Sequence, residues 1–222
     1  MSKQEVASKI IEIGIVPVIR AKSSRLAMSA VEAVFTGGIL VVEITMTVPG
    51  ALDLIAQLSK SVGAAILIGA GTVLDAQTAQ RCLDAGARFL VSPGLDLETI
   101  RFANCSSTLI MAGALTPTEV LTAWKAGSDL VKIFPCGSVG SAKYLRALKA
   151  PLPDIAMVPT GGVNLTNAAE FIHAGAAALG VGGELVSATA LESGNFGEIT
   201  ENARKYVAIV SEARRQLAVA GR

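Results

Sequence analysis

Eight short runs rich in valine and isoleucine, each followed by an amphipathic stretch rich in alanine and leucine, constrain this chain more than any other feature. The runs are GIVPVIR (14–20), LVVEITMT (40–47), AILIGAGT (65–72), RFLVSPGL (88–95), LIMAGALT (109–116), LVKIFP (130–135), IAMVPTGG (155–162) and AALGVGGELV (177–186). Their starts lie roughly 21 to 26 residues apart, enough for a strand, a loop, a helix and a return loop. The segments LDAGARFLVSPG, WKAGSDLVKIFP and IHAGAAALGVGG share one grammar, in which a helix ends at glycine and a strand starts within a few residues; FTGGILVVEI is a looser copy. An open doubly wound sheet has the same alternation, but eight units without a reversal point favour closure. The sequence therefore predicts an α/β chain forming a single (β/α)8 TIM barrel domain over residues 1–222, with its core at about 14–186. Helices flank it at both ends, the last being an amphipathic one at about 197–220.

Composition narrows the function classes. Lysine and arginine number 19 against 18 aspartate and glutamate, with no long block of one sign, so neither nucleic acid nor an anionic membrane is an expected partner. A small neutral or anionic ligand fits better. Cys82, Cys105 and Cys136 are odd in number and widely spaced, as free thiols in a reducing compartment would be. Charges interrupt the apolar residues of MSKQEVASKIIEIG, and no run of about 18 apolar residues follows, so a cytoplasmic location is expected.

In barrels of this kind the chemistry lies at the C-terminal ends of the strands, and those ends are polar here. Arg20 closes the first run; Glu43, Thr45 and Thr47 alternate along the second; Thr72, Ser92 with Pro93, Lys132 and Thr160 mark later ones. Lys132 is the anomaly. It sits within DLVKIFP, where an unpaired ammonium would cost several kcal/mol, on the order of its desolvation penalty, unless paired or neutralised. In a partly desolvated pocket a lysine amine can attack a ketone, and the resulting protonated imine withdraws electrons so that the bond beyond the neighbouring carbon breaks. This is aldol chemistry needing neither metal nor cofactor, with Glu43 as proton shuttle. A structural Lys132–Glu43 ion pair in the barrel core is the alternative. Separately, Gly161 and Gly162 after the seventh run, and Gly182 and Gly183 in the eighth, would let backbone N–H groups approach a phosphate. His173, the only histidine, precedes a helix end and fits a contact with terminal carbonyls; Cys136 and Trp124 fit packing, or for Trp124 a subunit contact.

With VEIT (42–45), GAGT (69–72), SPGL (92–95), VKIFP (131–135) and PTGG (159–162) in order on these strands, the chain resembles the 2-keto-3-deoxy-6-phosphogluconate aldolase family, which includes 4-hydroxy-2-oxoglutarate aldolases. The resemblance runs from about Ile15 to Val186. It implies a class I aldolase, homotrimeric, that splits a 2-keto-3-deoxy sugar acid phosphate into pyruvate and glyceraldehyde 3-phosphate. It implies Lys132 as the Schiff-base lysine, Glu43 as the acid/base carboxylate, and Thr72, Pro93 and Thr160 as walls of the pyruvyl pocket. Two departures stand out. Thr47 occupies a position where many members carry an arginine for the substrate carboxylate, and Arg20 is the expected replacement. In GVGGEL, Glu184 brings a carboxylate toward a loop in which many members carry serine; strand alternation would turn it outward. Rival readings are an aldolase for the galactonate epimer or another 4-hydroxy-2-keto acid, a phosphate-binding barrel isomerase or decarboxylase, and a non-catalytic sugar-phosphate-binding barrel.

Overall fold

Each of the eight apolar runs contains a strand. The computed structural model describes residues 1–61 and 66–220. The strands are β1 (Ile15–Ile19), β2 (Val41–Thr45), β3 (Leu67–Gly71), β4 (Phe89–Val91), β5 (Leu109–Ala114), β6 (Leu130–Ile133), β7 (Met157–Pro159) and β8 (Leu179–Val181). Ala65, where the third run was expected to open, lies outside the described residues, as do residues 221 and 222. The helices are α1 (Lys3–Ile13), α2 (Ser24–Thr36), α3 (Ala51–Ser61), α4 (Ala76–Asp84), α5 (Leu97–Cys105), α6 (Pro117–Lys125), α7 (Ser141–Lys149), α8 (Ala168–His173), α9 (Ala188–Ser193) and α10 (Phe196–Ala220), with a 3-10 turn at Cys136–Val139.

The strands are parallel and neighbours follow chain order, from β8 beside β1 round to β7. The two ends of that order meet. Thr160 bridges Gly180, and the Ala177 N–H donates to the Met157 carbonyl at 2.9 Å, so the sheet curls onto itself as a (β/α)8 barrel. Every strand residue is buried, because side chains point either into the barrel or under the helices; this is why the runs are apolar throughout rather than alternating. Phe89 fills the interior against Gly69, where a Cβ would overlap its ring.

The repeated grammar has a hydrogen-bonding basis. After α4, the N–H of Gly86 donates to Leu83 at 2.8 Å and that of Ala87 to Cys82 at 3.0 Å, the paired bonds of a Schellman cap. The same pair recurs at Gly38, Gly127 and Gly175, all with φ between 93° and 95°. A fifth copy after α5 places Ser107 in the left-handed region at φ 50°. Helix starts are equally explicit: Ser23, Asp75, Asp96 and Ser187 each accept from the N–H three residues on, and Ser2 with Glu5 and Thr116 with Glu119 form capping boxes.

The C-terminal helix α10 packs on the outside through Ile199, Ala203, Tyr206, Val210 and Ala213, all buried. Large apolar side chains of this kind contribute roughly 1.5–3 kcal/mol each on full burial. The approach to α2 is close enough that a Cβ at Gly37 would overlap Ala203. Trp124 is 39% exposed, which excludes a place in the core. Among the described residues no helix is long and apolar enough to cross a membrane.

Candidate active site

Lys132 on β6 and Glu43 on β2 stand on opposite sides of the barrel and point inward, as alternate strands do when their side chains fill one layer. Lys132 Nζ lies 3.8 Å from Glu43 Oε1, with side-chain exposures of 3% and 2%. Glu43 Oε1 is buried and has no hydrogen-bond partner among the described residues. That combination argues against a purely structural ion pair, which would close to about 2.7–2.9 Å to offset the desolvation of both charges. Gly71 makes the carboxylate's position possible, since a Cβ there would overlap it. The Phe134 ring centroid is 5.4 Å from Lys132 Nζ, within cation–π range.

At the rim beside Glu43, the Thr45 hydroxyl donates to the Ile19 carbonyl at 2.9 Å and lies 2.7 Å from the Thr47 hydroxyl. Having one proton, already given to Ile19, Thr45 must accept from Thr47. Thr47 therefore offers a ligand only lone pairs. Arg20, exposed at the end of β1, shares a cavity of about 230 Å³ with Thr47, Lys22 and Glu192. Its guanidinium reaches across to β8, where a Cβ on Gly182 would stand 3.2 Å from Nη1. Glycine at 182 thus leaves space for the Arg20 guanidinium.

Thr72, directly after β3, has φ 58°. A β-branched residue in the left-handed region is strained by on the order of 1–3 kcal/mol, and such strain concentrates at functional sites. Thr72→Gly is expected to raise stability by about 1 kcal/mol, a shift of about 2–4 °C in Tm, while lowering kcat/KM; thermal denaturation and turnover on the same sample check both. A variant less stable than the parent would show that the Thr72 side chain contributes more packing than strain.

On the next strand, the buried Ser92 hydroxyl donates to the Gly94 carbonyl at 2.7 Å and accepts the Gly113 N–H at 3.1 Å, fixing the turn that carries Pro93. Gly113 has no room for a Cβ against the Pro93 backbone. Thr160 is buried, its side chain filling the space above Gly180. Gly161 and Gly162 follow with φ 83° and 79°, open only to glycine at low cost. Gly182 and Gly183 lack positive φ, and none of the described residues comes within 4 Å of a Cβ built at Gly183. The alternation argument for Glu184 does not apply. β8 ends at Val181, and residues 182–186 form a turn in which Leu185 and Val186 N–H groups donate to the Gly182 carbonyl; Glu184 is exposed there. Cys136 is buried, and burial pushes its thiol up to about 11, so it stays protonated near neutral pH and packs.

Thr72, Pro93 and Thr160 thus follow the ends of their strands, while Lys132 and Glu43 face each other from within β6 and β2; Arg20 and Thr47 share one rim, and the Gly161–Gly162 turn follows Thr160. Sequence reasoning missed the steric roles of Gly71 and Gly113 and the bond from the Asn167 amide to the Gly162 carbonyl.

A (β/α)8 barrel holding a buried lysine beside a carboxylate has the parts that a class I aldolase, a lyase, requires. Residues 6–202 match the family model described as KDPG and KHG aldolase, and the chain belongs to that family. KDPG is 2-keto-3-deoxy-6-phosphogluconate and KHG is 4-hydroxy-2-oxoglutarate. The "KHG/KDPG aldolase" of Escherichia coli K12 is 35% identical over 203 residues, spanning 90% of this chain and 94% of that one. The "2-dehydro-3-deoxy-6-phosphogalactonate aldolase" of the same organism is also 35% identical, over 178 residues, spanning 80% and 86%. Among solved structures, the KDPG aldolase of Legionella pneumophila, with pyruvate captured as a covalent carbinolamine, superposes with a TM-score of 0.83 at 30% identity over 89% of this chain and 96% of that one.

Proposed function

We propose that this aldolase cleaves KDPG to pyruvate and glyceraldehyde 3-phosphate through a Schiff base on Lys132. The observation that carries the reading is the buried Glu43 oxygen, unpartnered and 3.8 Å from Lys132 Nζ. In this mechanism the neutral amine of Lys132 adds to the C2 ketone, and loss of water from the carbinolamine leaves a protonated imine. Glu43 takes the proton of the C4 hydroxyl as the C3–C4 bond breaks; the electron pair moves into the imine, releasing the aldehyde and leaving an enamine. Glu43 then returns a proton to C3, and water hydrolyses the imine to pyruvate and free lysine. Thr72, Pro93 and Thr160 wall the pyruvyl group, and N–H groups of the turns at Gly161, Gly162, Gly182 and Gly183 receive the phosphate.

Substrate choice follows from the far end of the molecule. A phosphate dianion on C6 gains charge-assisted hydrogen bonds at those glycine turns, whereas the distal carboxylate of KHG, which yields pyruvate and glyoxylate, is bonded directly to C4 and stops short of them, so KHG is the weaker substrate. The galactonate epimer is the competing reading, because relatives named for it and for KDPG stand at the same identity. A pyruvate-release assay over KDPG, its galactonate epimer and KHG decides. A higher kcat/KM for either alternative would overturn the assignment.

Arg20 is the carboxylate-binding residue in this scheme, supported by the committed proton of Thr47. Arg20→Ala is expected to raise KM for pyruvate on the order of tenfold to a hundredfold, the loss of a charge-assisted bond worth about 1.5–3 kcal/mol, while Thr47→Ala changes it far less. Equal, small effects at both positions would reject the role. Cytoplasmic location and a homotrimer complete the proposal. The near balance of charges and the unpaired cysteines support the first, and the exposed Trp124, an aromatic of the kind that anchors interfaces, supports the second. Solution mass measurement tests the assembly.

A further inference from the structure

The turn after β7 has its carbonyls tied back one by one. Thr160 O accepts the Cys136 N–H at 2.9 Å, and Gly161 O accepts the Gly137 N–H at 2.8 Å. Gly162 O accepts Asn167 Nδ2 at 2.8 Å. The first two donors are backbone groups, so Asn167 is the only side chain in the series. The N–H groups of Gly161, Gly162 and Val163 make no hydrogen bond among the described residues. Within a trans peptide the C=O and the following N–H point in opposite directions, so each anchored carbonyl turns the following N–H away from the donor that holds it.

Asn167 is itself held in one orientation. Its Oδ1 accepts the Asn164 N–H at 2.8 Å, a group that can only donate, which places Nδ2 toward Gly162. The turn beneath is rigid: Asn164 Oδ1 accepts from the Thr166 N–H at 2.9 Å, the Thr166 hydroxyl at 2.7 Å and the Asn167 N–H at 3.1 Å. Val163 O faces the Tyr206 hydroxyl at 3.5 Å, too long to fix a peptide plane. At φ 79° Gly162 has no side chain to restrict its peptide, and the Asn167 amide supplies the restriction instead.

We propose that Asn167 is a positioning residue for the phosphate end of the substrate: it clamps the Gly162 carbonyl so that the Val163 N–H of the same peptide faces the anion. The proposal rests on the reading of this turn as the phosphate site, and two measurements separate the two claims. Competition by inorganic phosphate tests the site in the parent enzyme; its absence there, together with equal kcat/KM for KDPG and its dephosphorylated counterpart, would overturn the site and the clamp with it.

If phosphate competes, Asn167→Ala is expected to lower the preference for the phosphorylated over the dephosphorylated substrate about tenfold, through KM rather than kcat, and to raise the inhibition constant of phosphate in proportion. Asn167→Asp keeps the bond to Asn164 but sets an oxygen against the Gly162 carbonyl, so its effect on the same ratio exceeds that of alanine. It also supplies the readout should the alanine variant fail to fold. A ratio that stays constant in the folded variants, whether or not both substrates slow together, would reduce Asn167 to a support for α8 and overturn the clamp.

Discussion

Lys132→Arg lowers kcat/KM by at least about a thousandfold, the largest effect expected of any single change in this chain. Arginine keeps the positive charge beside Glu43, so an ion pair survives, but the guanidinium is never neutral in a protein and cannot form an imine. Stability and activity therefore part company. If Lys132 were only a counter-ion for the carboxylate 3.8 Å away, arginine would preserve most of the turnover. Steady-state kinetics alongside a denaturation curve decides between the covalent and the electrostatic role, and retained turnover would sink the mechanism.

Glu43→Gln is the second large effect, with kcat falling on the order of a hundredfold to ten-thousandfold, as is typical when a general acid/base is removed. Glutamine fits the space that Gly71 leaves open, so the fold is retained. Lys132 in this variant still condenses with pyruvate, while hydrogen exchange at the pyruvate methyl group slows with kcat, because that exchange needs the same proton transfer. Normal exchange with impaired cleavage would assign the proton at C3 to another group and restrict Glu43 to the C4 hydroxyl.

The barrel was legible because parallel strands covered on both faces must be apolar throughout, and the glycines that close the Schellman caps after α2, α4, α6 and α8 mark the return to the next strand. The runs overreach their strands at β7 and β8. Ile155, Ala178, Leu185 and Val186 are buried outside the ladder, so hydrophobicity continues where pairing has stopped. That overreach is why strand parity does not apply at Glu184, which is exposed in a turn rather than on a strand. Ser107 shows the converse: its cap uses the left-handed region without the glycine that advertises it elsewhere.

For the site, Lys132 and Glu43 announced themselves as charges inside apolar runs. What sets their separation did not, because it depends on which residues face each other across the closed barrel. The space for Glu43 at Gly71, and that for Thr160 at Gly180, exist only once neighbouring strands are in register. Asn167 was hidden for a different reason. In NLTN ahead of a helix an asparagine reads as a local cap, and the bond from its amide to Gly162 spans five residues of loop with no periodicity to expose it.

The most direct measurement is reductive trapping. The enzyme is incubated with pyruvate and borohydride, which reduces the imine to a stable secondary amine, and the modified peptide is mapped. One pyruvyl adduct on Lys132, absent without pyruvate and absent from Lys132→Arg, is the predicted result; an adduct on Lys125 or Lys143, or none at all, would contradict it.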